Sequence, residues 1–360
     1  MFQKQESFNL EQEKKALILT NDITNELVKT IDEKFGGKIK NISTEPFTSI
    51  YTLGNLASEK IYLIDQEALG NEEKRKDIYK SITSLKEESL LLLDTFEESV
   101  ISDLFEGLMY SGYTFDQLKS EKEDKKPIIS YTTTKNYDSL IEQGVILGEA
   151  VNHTRDLVNT PYNYMTSVHL AEYAKSLEQY DDVTVKIIEK DEIEKMNMGA
   201  FLGVNKGSTE PPKLIYIEYN GDKSSEEKTA LVGKGVMFDT GGYSLKTPQI
   251  MPTMKMDMGG SATVLGAIEA VARLKYKANV SVVIAATDNR IGDHAIVPDD
   301  ILTAANGLTI EIVSTDAEGR LTLADALWYA QKQGATKLID FATLTGAIVA
   351  ALGNAYTGAF

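Results

Sequence analysis

The sequence predicts an α/β protein of two domains. A small N-terminal α/β domain covers residues 1–135, and a larger C-terminal domain over residues 136–360 carries a mainly parallel central sheet flanked by helices. Three observations lead there. A chain of 360 residues is long for a single core. Apolar strand-like runs alternate with amphipathic helical patterns. In the second part, carboxylates and lysines set among glycines follow directly on strand-like runs, which is where parallel sheets carry their sites.

In chain order, Ala16–Leu19 and Lys60–Ile64 read as strands and the pattern from Glu98 to Phe105 as a helix, so the first part forms its own small α/β domain. It contains no catalytic cluster. The run from Lys119 to Lys126 is mixed in sign and ends at Pro127, as a solvated connector near a domain boundary would. From Asn136 to Val158, the positions Leu140, Gly144, Leu147, Val151, Thr154 and Val158 step by three or four along one helix face. Asn159-Thr160-Pro161 breaks that helix, and Ser167 to Leu177 begins another. His153 and His169 on these helices read as packed or surface residues.

The second domain is more legible. Strand-like runs occur at Lys213–Tyr219, Thr229–Gly233, Val280–Thr287, Thr309–Val313 and Lys337–Ala342. Helical patterns fall at Ser261–Lys275 and Leu321–Lys332.

Composition narrows the function. Hydrophobic and charged fractions of 42% and 25% allow a sizeable core. The net charge of −17 argues against nucleic acid or an anionic membrane as main partner. With no cysteine, disulfides, thiolate metal sites and cysteine nucleophiles are excluded. The three histidines lack the close spacing of a ligand pair, so a metal site would rest on oxygen ligands and perhaps an amine. The N-terminus lacks the apolar core of a signal peptide and no run reaches membrane-spanning length, so a cytoplasmic protein is expected.

The stretch from Leu231 to Leu321 holds almost every residue suited to chemistry. Asp239 precedes Thr-Gly-Gly and Asp257 precedes Met-Gly-Gly, where the backbone must turn tightly or admit another group. Asp316 and Glu318 are two apart and, in an extended segment, would point the same way. Alone, that pair reads equally as an acidic turn at a helix start. Four carboxylates among apolar residues need counter-charge, and two divalent cations would balance them. Such ions, about 3.5 to 4 Å apart, can share a bridging hydroxide and clamp a carbonyl. Lys234 could serve as a neutral nitrogen ligand and Lys246 as a charged oxyanion stabiliser. A plain salt bridge remains open for each, and Lys255 reads as a surface or structural charge. No Walker sequence and no Gly-x-Ser-x-Gly elbow is present.

These motifs resemble the cytosol aminopeptidase family, the leucyl aminopeptidase type of two-metal exopeptidase. Ser314–Leu321 matches its Asn-Thr-Asp-Ala-Glu-Gly-Arg-Leu signature, with Ser314 in place of Asn. Gly-Lys-Gly-Val, Phe-Asp-Thr-Gly-Gly, Ser-Leu-Lys and Met-Asp-Met-Gly-Gly occur in family order and spacing, as do Val204–Ser208, Pro211-Pro212 and Ala342–Gly346. The similarity is clear from about Leu147 onward. It implies a catalytic metallopeptidase domain over residues 136–360, with Asp239 and Glu318 touching both metals, Asp316 the more loosely held one, and Lys234 and Asp257 the other.

It further implies that Lys246 polarises the scissile carbonyl and that Arg320 holds a bicarbonate serving as general base. Met254 and Thr343 would line the pocket for the first side chain, with Leu344 and Gly346 helping to orient it. The implied cofactors are two divalent ions, manganese or zinc, with cobalt also used by relatives. The implied partners are peptide substrates and further copies in a homohexamer. Ser314 is expected to alter hydrogen bonding behind Asp316. Family members run well past Phe360, so the domain is expected to be incomplete at its C-terminal end. The alternative from another class is a non-catalytic assembly or regulatory protein that keeps the metal residues without a complete pocket. A two-metal phosphoesterase would want more histidines and a cationic phosphate clamp.

Overall fold

The computed structural model describes residues 1–39, 45–122 and 128–360. The last residues of the expected connector, 123–127, lie outside the described residues. The chain divides into two compact units, Met1–Asn152 and His153–Phe360.

In the first unit, strands β1 (Phe2–Lys4), β2 (Ala16–Thr20), β3 (Phe47–Tyr51), β4 (Lys60–Ile64), β5 (Ser89–Leu92) and β6 (Ile129–Thr132) order as β1-β6-β5-β2-β4-β3. The pairs are parallel except β3 with β4. Strand side chains alternate between faces. Thus Leu17 and Leu19 pack with Val28 and Ile31 of helix α1 (Glu26–Lys34). Ile18 faces the opposite cluster, which includes residues of helices α2 (Glu72–Thr83) and α3 (Ile101–Ser111).

Helix α4 (Asp138–Asn159) carries the chain into the second unit. That unit continues with α5 (Ser167–Ser176), β7 (Val183–Ile188), α6 (Lys190–Lys195), α7 (Gly199–Asn205), β8 (Lys213–Asn220), β9 (Thr229–Asp239), α8 (Gly259–Arg273) and β10 (Asn279–Asn289). The short strands β11 (Ile301–Thr303) and β12 (Thr309–Glu311) precede α9 (Glu318–Lys332), β13 (Lys337–Phe341) and α10 (Ala347–Leu352). The central sheet orders as β13-β9-β10-β8-β7, with β13, β9 and β10 parallel and β8 reversed between β10 and β7.

Its two faces are again read by alternation. Ile215, Ile217, Val282 and Ile284 join Leu170 and Ala174 of α5 and Val264, Leu265 and Ile268 of α8. Leu214, Tyr216, Val283 and Ala285 join Phe201 of α7 and Ala326 and Tyr329 of α9. Both faces are covered, so β9 and β10 are apolar along most of their length.

Thr309–Val313 is not a strand of the central sheet. Its described strand, β12, pairs with β11 alone. Asn306-Gly307, with Gly307 at φ 86°, forms the turn that folds this segment back on itself. Among the described residues no helix is long and apolar enough to cross a membrane.

Candidate active site

The site is assembled at the carboxyl end of β9. Lys234 lies within the strand and Asp239 is its last residue. Strict alternation would send an even-numbered and an odd-numbered residue to opposite faces. The register between β9 and β10 shifts between Thr287 and Asn289, adding one residue on the β9 side and reversing the alternation before Asp239. Asp239 therefore shares one cluster with Glu318, the residue with which Lys234 is paired.

Asp257 arrives from the other side, in the turn Met254–Met258 that leads into α8. The helix starts unusually close to the sheet: a Cβ on Gly260 would stand 2.0 Å from the Phe341 carbonyl oxygen and 3.0 Å from Lys234 N. Only a residue without a side chain allows that approach. Gly319 plays the same part at α9, where a Cβ would meet Lys234 Cε at 2.6 Å. Gly241 and Gly242, at φ 85° and 62°, turn the chain after Asp239.

Asp316 and Glu318 are not in an extended segment. Thr315–Ala317 forms a single 3-10 turn and Glu318 is the first residue of α9. Ser314 Oγ accepts from Asp316 N at 3.3 Å, capping the turn and favouring coil over pleat. The two carboxylates nevertheless converge: Asp239, Asp316 and Glu318 each offer an oxygen, all within 4.8 Å of one another.

Two lysines thread the carboxylates. Lys234 Nζ is 2.7 Å from Asp257 Oδ1 and 2.9 Å from Glu318 Oε1, and it donates to the Thr343 carbonyl at 3.2 Å. Lys246 Nζ is 2.7 Å from Asp239 Oδ2 and 2.5 Å from Asp316 Oδ1. Burial opposes the charged form of Lys234, but Glu318 and Asp257 outweigh it and raise its pKa. Lys246 is raised likewise, its hydrogen bonds to Asp239 and Asp316 overcoming burial. Burial lifts Asp257 to about 7 against the pull of Lys234 and lifts Glu318 in the same direction. One ammonium between two buried carboxylates cannot neutralise both, so burial favours their protonated forms until further positive charge is supplied.

These side chains suit a metal. Asp257 Oδ2 is buried without a hydrogen-bond partner, although Thr343 Oγ1 and Lys234 take up its Oδ1. A hard oxygen-rich set with an amine beside it fits a divalent cation.

Sequence reasoning named Lys234, Asp239, Lys246, Asp257, Asp316 and Glu318, and the fold brings them together. Thr343 joins them through Asp257. The ion-paired cluster does not include Met254, Leu344, Gly346 or Arg320. Met254 is half-buried in the turn before α8, and Leu344, Gly346 and Arg320 are exposed. Lys255 donates to the Asn159 carbonyl, and His153 pairs with the buried Glu269 at 3.0 Å. Two residues went unread. Thr315 Oγ1 donates to the Gly241 carbonyl and accepts from Ser244 N, and Asn289 donates to Asp239 Oδ1. The polar triplet Asp288-Asn289-Arg290 closing an apolar strand beside β9 was the available signal.

A family model described as the cytosol aminopeptidase family, catalytic domain, matches residues 152–360. Among solved structures, a mutant of tomato leucine aminopeptidase superposes with a TM-score of 0.81 at 30% sequence identity. The match covers 98% of this chain and 75% of the tomato chain.

Proposed function

The chain belongs to the cytosol aminopeptidase family and is a metallo-aminopeptidase, and from that premise we propose that it removes Leu-like residues singly from peptide N-termini with two divalent ions. The observation that carries this reading is the convergence of Asp239, Asp316 and Glu318 within 4.8 Å, beside Asp257 and the two lysines. Asp239 and Glu318 would touch both ions, Asp316 one of them, and Lys234 with Asp257 the other. Manganese or zinc suits these donors. When bound, the ions supply Lewis acidity and an acidified water.

The remaining work falls to the chain itself. Lys234 holds Asp257 and Glu318 together as an ammonium and must give up its proton to act as a nitrogen ligand. Lys246 is kept charged by Asp239 and Asp316 and donates a hydrogen bond to the scissile carbonyl as negative charge develops on it. Arg320, exposed on the first turn of α9, would hold a bicarbonate, which would supply a general base. Met254 and Thr343 line the pocket for the first side chain, and the backbone near Leu344 and Gly346 orients it. A homohexamer in the cytoplasm is the setting proposed for this chemistry.

The test is hydrolysis of a leucine anilide by the full chain with added Mn²⁺, with and without a chelator. Turnover that requires Mn²⁺ and stops on chelation is expected. Intact, metal-loaded protein without metal-dependent turnover would point instead to an assembly or regulatory role.

A further inference from the structure

Asn289 ends β10 beside Asp239 and is 2% exposed. Its Nδ2 lies 2.8 Å from Asp239 Oδ1, 3.0 Å from the Thr315 carbonyl oxygen and 3.5 Å from Glu318 Oε2. A carboxamide nitrogen carries two protons, so two of these bonds are well formed and Glu318 is the longer third. Turning the amide over would set its oxygen against the two carboxylates.

The pattern within each carboxylate is the informative part. Asp239 Oδ1 accepts from Asn289 and from Gly241 N at 2.8 Å, while Asp239 Oδ2 faces Lys246. Glu318 Oε2 is reached by Asn289, while Oε1 faces Lys234. Asp239 thus has one oxygen held by neutral donors and the other turned to Lys246, whereas at Glu318 the same amide stands 3.5 Å from Oε2 as a weaker neighbour. Being uncharged, Asn289 orients the Asp239 carboxylate without cancelling the charge a cation needs.

Its own place is fixed on both sides. The Asn289 carbonyl accepts from Thr240 N at 3.0 Å and from Thr240 Oγ1 at 2.8 Å. Its neighbour Asp288 accepts from Tyr162 Oη at 2.8 Å and Arg290 Nε at 2.7 Å. The Arg290 guanidinium in turn lies 4.2 Å from the Tyr162 ring centre and 5.0 Å from that of Phe238. A side chain held this firmly suits the task of aiming others.

We propose that Asn289 is a positioning residue of the metal site, holding Asp239 and the Thr315 turn beside Glu318 so that the carboxylates meet two cations already aligned. This rests on the metal-site reading given above. The test uses Asn289→Leu, which keeps nearly the same size but cannot donate, and Asn289→Ala, both in the full chain. Mn²⁺ affinity and the electron paramagnetic resonance spectrum of bound Mn²⁺ are measured, with melting of the metal-free protein as the check on folding.

Affinity should fall about 10- to 100-fold, in line with the usual effect of removing a partner behind a ligand. The spectrum should broaden while metal-free melting stays near that of the natural chain, a combination a merely structural role would not give. Glu318→Ala serves as the control for the underlying reading. If Glu318→Ala binds Mn²⁺ like the natural chain, the metal site itself is misassigned and the proposal falls with it. If Glu318→Ala loses Mn²⁺ while the Asn289 variants keep natural affinity and spectrum, the positioning role alone is overturned. Should either variant not fold, a crystal structure of the Mn²⁺-loaded natural chain decides, and Asn289 Nδ2 turned away from both carboxylates refutes the proposal.

Discussion

Lys234 and Lys246 each bridge two carboxylates, yet their surroundings give them different work. Lys234 is 2% exposed and sealed beneath Gly319, so its amine has no route to a substrate. Lys246 sits higher, its side chain 12% exposed beside the 38% exposed Asp316, where a peptide carbonyl could reach it. The two roles are separable by substitution. Asp316→Ala should abolish activity mainly by metal loss. Lys246→Ala should leave metal bound and lower kcat by about 10²- to 10³-fold, the usual effect of removing one donor to a developing oxyanion. Metal analysis of each purified variant checks both, and a metal-free Lys246→Ala protein would refute the role given to that lysine.

Helix α8 is tied to its surroundings at both ends, and only the site end was prominent in the sequence. Its first turn is held against β13 through Gly260. Further along, Glu269 is buried and accepts from Tyr173 Oη at 3.0 Å and Arg273 Nη1 at 3.1 Å, with His153 Nδ1 at 3.0 Å. Burial alone would raise the Glu269 pKa, but the His153, Tyr173 and Arg273 hydrogen bonds prevail and hold it below the usual carboxylate range. A carboxyl whose pKa is lower folded than unfolded adds stability above its unfolded pKa of about 4.3, and the gain is lost as pH falls through the folded value. The difference in urea midpoint between the natural chain and Glu269→Gln should thus be largest near neutrality and shrink toward pH 3. An unchanged difference across that range would exclude an ionised Glu269. Helix periodicity gave α8 as a segment, whereas this network joins it to α4 and α5, far apart in the chain.

For the whole molecule, the lysine–carboxylate pairs predict that metal removal should not unfold the chain. Each pair supplies counter-charge where a cation would otherwise stand. Chelated protein should keep a cooperative melting transition and its far-UV circular dichroism while losing activity. Mn²⁺ at about 100 times its Kd should add about 2.7 kcal/mol per site, seen as a rise in Tm. Collapse of the secondary structure on chelation would show that the ammonium groups cannot substitute for the ions. The carboxylates and lysines at stake all belong to the unit His153–Phe360, so increased hydrogen-exchange protection is expected at the ends of β9 and β10.

The sequence by itself determined the α/β class and the strands β8, β9, β10 and β13, and it singled out the six charged residues that the fold brings together, because alternation, helical periodicity and glycine-bracketed charge are local properties of a chain. It did not determine that β12 leaves the central sheet, that Glu318 begins a helix, or that Asn289 donates to Asp239. Those depend on which segments pair and in what register. The extra residue opposite Asn289 is set by contact between β9 and β10, about fifty positions apart, and only the assembled sheet brings Lys234, Asp239 and Glu318 to one point.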